Sequence, residues 1–189
     1  MGMKQTLDVV NRMEADSVIS RYAIAGAVAA YNYIEPTLTE DLDILVSFDA
    51  TVAQSQSGLV TLQPIFAYLK KLGYDQFRAG GILIEDWPVQ FLPVGSDLDA
   101  AALAQAVETE IQIPGAGSVR TRVLRAEHLV ATALSVGRPK DFIRIAQFIE
   151  SETVDLMLLR KVLERHGLIE KWQLFCRQIG MSNPLPTQA

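Results

Sequence analysis

Apolar positions along this chain change their period several times, and each change marks an element. Leu7, Val10, Met13 and Val18 recur at helical spacing and predict an N-terminal helix over 7–19. Tyr22 to Ala25 reads as a short strand. Gly26 then turns the chain into an apolar, helix-favouring run through about Tyr33, which Pro36 and Thr37 break. Glu40 to Val46 predicts a second strand, and Ser47 to Ser57 a polar loop. A helix over 61–72 closes at Gly73, with Lys70 and Lys71 in its last turn, where positive charge suits the helix dipole. Phe77 to Glu85 and Val89 to Val94 predict paired strands joined across Asp86, Trp87 and Pro88.

Beyond Gly95 the texture becomes helical. Leu98 to Val107 is Ala-rich and predicts a helix with Asp97 and Asp99 near its start. Glu108 to Val119 is mixed, with a turn at Pro114, Gly115, Ala116 and Gly117. Helices follow over 126–136, closed by Gly137, over 139–151, opened by Pro139, over 154–166, closed by Gly167, and over 169–179. The order predicts an α/β domain over 1–97 and a mostly helical domain over 98–189, with a soft boundary between 95 and 120.

Composition narrows the function classes. Apolar residues make up 49% of the 189, enough for a sizeable core, and the net charge of −5 argues against a broad basic surface for nucleic acid. Cys176 is the only cysteine and His128 and His166 the only histidines, which disfavours disulfides and zinc sites built from Cys or His. No run reaches the length of a membrane span and no signal-type segment opens the chain, so a cytoplasmic location is expected. His128, Trp87, Trp172 and Cys176 are expected to pack rather than react.

Candidate chemistry centres on Asp41-Leu42-Asp43. Side chains alternate along a strand, so both carboxylates are expected on one face, where they repel each other and lose hydration. A hard divalent cation compensates such a pair, commonly shared with substrate phosphates. The ordinary alternative is a solvated strand end. Upstream, the small-residue turn at Ala25, Gly26 and Ala27 opens a helix whose free backbone N–H groups suit a phosphate; a plain tight turn is the alternative there.

With Thr39 two residues before Asp41, and Arg138, Pro139, Lys140 and Asp141 after a later helix, the residues from Tyr22 to about Glu150 resemble minimal nucleotidyltransferases of the DNA polymerase β superfamily. They are similar to the bacterial abortive-infection, AbiEii-like, members. The resemblance implies an α+β (mixed α/β) fold: a small mixed sheet flanked by helices, then a helical bundle. It implies metal-dependent transfer of an NMP group from an NTP to an acceptor: tRNA, protein or a small molecule. Asp41 and Asp43 would be catalytic and hold Mg²⁺ (or Mn²⁺), and Lys140 would approach the nucleotide. Gly26, Ala27, Thr39, Gln90 and Asp141 would complete the nucleotide site.

Three departures from the family pattern stand out. Ala27 replaces a Gly or Ser, Thr37 stands where many relatives carry Arg, and Gln90 occupies the place of a third carboxylate. An amide cannot act as a general base, a role that contributes on the order of 10²–10⁴-fold. Glu85 and Asp86, a few residues upstream, are the candidates to substitute. The departures favour an alternative: a catalytically impaired binding or regulatory protein of the same fold, one half of a toxin–antitoxin pair with a cognate antitoxin.

Overall fold

The computed structural model describes residues 2–36, 38–49, 61–113, 115 and 117–187. Thr37, residues 50–57 of the expected loop, and Pro114 and Ala116 of the expected turn lie outside them. In chain order the first elements are α1 (Met3–Ala15), β1 (Arg21–Ile24), α2 (Gly26–Ala30), β2 (Leu42–Ser47) and α3 (Gln63–Lys71). Strands β3 (Phe77–Arg78), β4 (Gly81–Ile84) and β5 (Trp87–Pro93) follow, then α4 (Asp97–Ala104), β6 (Val107–Ile113) and β7 (Gly117–Val123). The chain ends in α5 (Ala126–Val136), α6 (Pro139–Glu150), α7 (Leu156–Arg165) and α8 (Ile169–Gln178).

The strands form one mixed seven-stranded sheet in the order β3-β4-β5-β2-β1-β7-β6. β2 lies at its centre, antiparallel to β1 and parallel to β5. Leu42, Ile44, Leu45 and Val46 are all at most 4% exposed, so β2 is covered on both faces and reads as an apolar run rather than an alternation. Glu85 and Asp86 have φ of 49° and 72° and pair Ile84 with Trp87 across a two-residue hairpin turn, the connection whose twist matches the strands. Among the hydrogen bonds that tie α1 to the sheet, Thr6 Oγ1 donates to the Ile84 carbonyl at 2.9 Å and Asn11 Nδ2 to that of Arg120 at 2.9 Å. α2 and α4 pack against β2 and join α5, around which α6, α7 and α8 gather.

The α+β class is as expected, but several bounds differ. The first helix runs over Met3–Ala15 rather than 7–19, ending where Ser17 takes a φ of 57°. α2 has five residues and stops at Ala30, short of Tyr33. The segment expected as mixed over 108–119 belongs to the β6–β7 hairpin, and β7 lies parallel to β1. The expected division at 97/98 therefore does not interrupt the sheet, and one cluster of buried residues extends from Leu7 to Leu185. Among the described residues no helix is long and apolar enough to cross a membrane. Trp172 is fully buried, its Nε1 donating to Asn183 Oδ1 at 2.8 Å, and Cys176 lies in the same core.

Candidate functional site

Asp43 projects from the central strand at the point where the chain leaves β1 and reverses into α2. Ala25 N–H donates to the Asp43 carbonyl at 2.8 Å, extending the β1–β2 ladder by one bond. The backbone at the next residue then passes directly over the Asp43 carboxylate. A Cβ at Gly26 would stand 1.9 Å from Asp43 Oδ2 and 2.9 Å from its Cγ, and Gly26 has a φ of +59°. Steric room and backbone conformation both demand glycine here. The five-residue α2 is too short for a strong dipole, so Gly26 matters chiefly through its fit against Asp43.

Asp41 lies one residue ahead of β2 rather than inside it, and each of its carboxylate oxygens is held. Thr39 Oγ1 donates to Oδ1 at 3.0 Å and Gln90 Nε2 to Oδ2 at 2.7 Å. Gln90 sits opposite Asp43 in the parallel β2–β5 register, the position at which a third acid was expected. Its amide also donates to the Ala79 carbonyl at 3.2 Å. Glu85 and Asp86 do not stand in for it. Both occupy the hairpin turn at the start of β5, Glu85 accepting from the Tyr74 hydroxyl.

Burial, and next the negative charge of Asp41, push the Asp43 carboxyl above the ordinary carboxylate range, while Arg138, Arg144 and Lys140 pull it back. Arg138 and Lys140 sit at the N-terminal end of α6, placed there by the turn from Gly137 through Pro139, and Arg144 lies one turn further along it. Asp141, expected to accompany the nucleotide, is instead 1% exposed and engaged by Arg138. Arg138 Nε donates to its Oδ2 at 2.7 Å, Nη2 to Oδ1 at 3.1 Å and the backbone N–H to Oδ2 at 3.1 Å. Asp141 thus caps α6. Burial would raise its pKa, but the Arg138 hydrogen bonds hold it below the usual value.

Lys140 points the other way, into a cleft of ≈ 500 Å³ that it lines together with Ala27, Thr39, Asp41 and Arg144. The expected residues Ala27, Thr39, Asp41 and Lys140 therefore meet in one place. Gly26 and Asp43 stand beside it, and Gln90 reaches it through Asp41. Arg144 was missed in the sequence, although its place four residues after Lys140 on the same helix face was a usable signal. A separate hollow of ≈ 430 Å³ lies beside Tyr22 and Arg122, where Arg122 Nη1 donates to Glu14 at 2.7 and 2.9 Å. His128 is fully buried on α5, and among the described residues neither ring nitrogen has a hydrogen-bond partner.

Among the described residues no group of three or more His, Cys, Asp or Glu is placed to hold a metal ion. Asp41 and Asp43 offer two carboxylates. Mg²⁺ is commonly held by one or two carboxylates with substrate phosphates and water completing its octahedron, so this donor set fits Mg²⁺ in the company of a phosphate.

Neither a family model nor a curated protein sequence matches the chain. Among solved structures, the fold is similar to that of an antigenic nucleotidyltransferase-like protein from Paracoccidioides brasiliensis, with a TM-score of 0.51 and 16% identity over 92% of this chain and 91% of that one. That likeness does not reach the AbiEii-like subgroup. At this identity it speaks for architecture alone: the chain has a nucleotidyltransferase-like fold.

Proposed function

We propose that the cleft binds a nucleoside triphosphate with Mg²⁺ or Mn²⁺ and that the protein transfers the nucleotidyl group to a hydroxyl or amine acceptor on tRNA, a protein or a small molecule. One observation carries the reading: Asp41 converges with Lys140 and Arg144 on one cleft, with Asp43 and its obligatory glycine beside it. Asp41 and Asp43 would hold the metal, which when bound neutralises phosphate charge. Lys140 and Arg144 would hold the polyphosphate and stabilise the charge that builds on leaving pyrophosphate. The acceptor forms a new bond to the α-phosphorus, the bond from that phosphorus to the bridging oxygen breaks, and pyrophosphate departs. The acceptor proton goes to solvent, since Gln90 cannot take it. Transfer is correspondingly slow.

A second reading is favoured by the Gln90–Asp41 hydrogen bond: a nucleotide-binding module without turnover, regulatory in role, such as one half of a toxin–antitoxin pair. Both readings are tested by incubating the protein with each α-labelled NTP, Mg²⁺ or Mn²⁺, and tRNA, protein or small-amine acceptors, while following pyrophosphate release. Label transfer by the native sequence, accelerated in Gln90→Glu, is expected. NTP binding without transfer in the native chain would favour the second reading. Absence of any NTP binding would remove both.

A further inference from the structure

The face of α6 that lines the cleft carries Lys140, Ile143, Arg144 and Gln147, a spacing that puts all four on one stripe. The opposite face, with Asp141, Ile145 and Phe148, is buried in the helical layer. Ile143 is 64% exposed although it stands between two cations, and Leu38, on the segment leading to β2, is 105% exposed across the same cleft. A lone exposed apolar side chain needs no explanation. Two that come from different elements line one cleft here, among the cations Lys140 and Arg144, the acids Glu40 and Asp41 and the amide of Gln147. Its two cations suit a polyphosphate, and its apolar pair suits a flat uncharged group held beside them.

On the reading of this cleft as a triphosphate site, we propose that Leu38 and Ile143 form the seat for the nucleobase and that Gln147 hydrogen-bonds its edge. The occupant is a nucleoside triphosphate rather than a bare polyphosphate. Along α6 the cleft residues run Lys140, Ile143, Arg144, Gln147, so the apolar contact adjoins both cations and the amide lies one turn beyond Ile143. Gln147 offers one acceptor and two donors, which matches a base edge with a neighbouring donor and acceptor, as adenine has. The triphosphate end needs none of these residues, so base and phosphate recognition separate experimentally.

The test is titration of the full chain, with Mg²⁺ present, by ATP and in parallel by inorganic tripolyphosphate. The native protein should bind ATP at least about tenfold more tightly, the gain expected from covering about 50 Å² of apolar surface. Leu38→Ala, Ile143→Ala and Gln147→Ala should each lose most of that preference while binding tripolyphosphate unchanged. Ile143→Leu, which keeps the apolar surface, should retain it. Thermal melts of the variants show whether each is folded. Equal affinity of the native protein for ATP and tripolyphosphate, or variants that weaken both ligands alike, overturns the base seat but leaves the phosphate site standing. Failure of both ligands to bind overturns the cleft as a nucleotide site and the seat with it.

Discussion

Gly26→Ala tests the link between the β1–α2 turn and the Asp43 carboxylate. The new methyl would arrive 1.9 Å from Asp43 Oδ2 and 2.9 Å from Cγ, far inside any allowed contact. The backbone of β2 has no freedom to retreat, being hydrogen-bonded to β1 on one side and β5 on the other. Asp43 must therefore leave its present position. The left-handed backbone, φ +59°, adds strain of its own. Gly167→Ala supplies the control, since Gly167 has a φ of +66° and a Cβ there meets nothing within 4 Å. Both variants share a left-handed penalty of roughly 1–2 kcal/mol. Only Gly26→Ala adds the overpacking cost, about 1–3 kcal/mol. For a chain of this size that extra cost lowers the melting temperature by roughly 2–12 °C more than in the control. A displaced Asp43 should also weaken Mg²⁺-dependent ATP binding about 10–100-fold, the usual effect of misorienting a metal ligand, whereas Gly167→Ala leaves binding unchanged. Melting curves and calorimetric titrations of both variants check this. A folded Gly26→Ala protein that binds Mg²⁺ and ATP like the native one would refute the reasoning.

Three further outcomes follow from the same geometry. Gln90→Glu places a third carboxylate opposite Asp43 and removes the donor to Asp41; it should lower the metal-free melting temperature and enlarge the rise produced by Mg²⁺, and an unchanged Mg²⁺ response contradicts this. Burial and Asp41 raise the Asp43 carboxyl, so the stability its protonated form contributes is present at low pH and lost as pH rises through that raised value. Metal-free Asp43→Asn should accordingly melt above the native protein at neutral pH, with the gap closing on acidification; a lower melting temperature at pH 7 goes against it. His128 is held neutral by burial, with His166, Arg125 and Arg165 also opposing its protonation and Glu127 favouring it. The unfolded chain therefore takes up the proton first as pH falls below about 6.5, and stability drops by up to about 1.4 kcal/mol per pH unit. His128→Leu should flatten that part of the stability–pH curve, and an unaltered slope argues against the assignment.

The C-terminal helices were legible because their ends carry strong local signals: Pro139 opens α6, and Gly137 and Gly167 close α5 and α7. The start of α1 was not, since Thr6 is buried through a hydrogen bond to Ile84, seventy-eight residues away, which no local pattern encodes. The β6–β7 hairpin did leave a trace. Val107, Thr109, Ile111 and Ile113 alternate with Glu108, Glu110 and Gln112, but the charges masked the strand period. At the site, the sequence pattern led to Asp41, Asp43, Lys140 and the placement of Gln90 opposite Asp43. It did not reveal the pairing of Asp141 with Arg138, which depends on which face of α6 turns inward. It also could not show that Gly26 is required by Asp43, because that contact joins the start of α2 to the start of the next strand and depends on how the two pack.

The central claim is that Asp43 and Asp41 make the cleft a metal-dependent nucleotide site. The most direct measurement is a calorimetric titration of ATP into the native protein and into Asp43→Asn, each with and without Mg²⁺, alongside melting curves that establish folding. Binding should require Mg²⁺ in the native protein and be lost in a folded Asp43→Asn variant. Binding of equal strength without metal, and indifferent to that substitution, would contradict it.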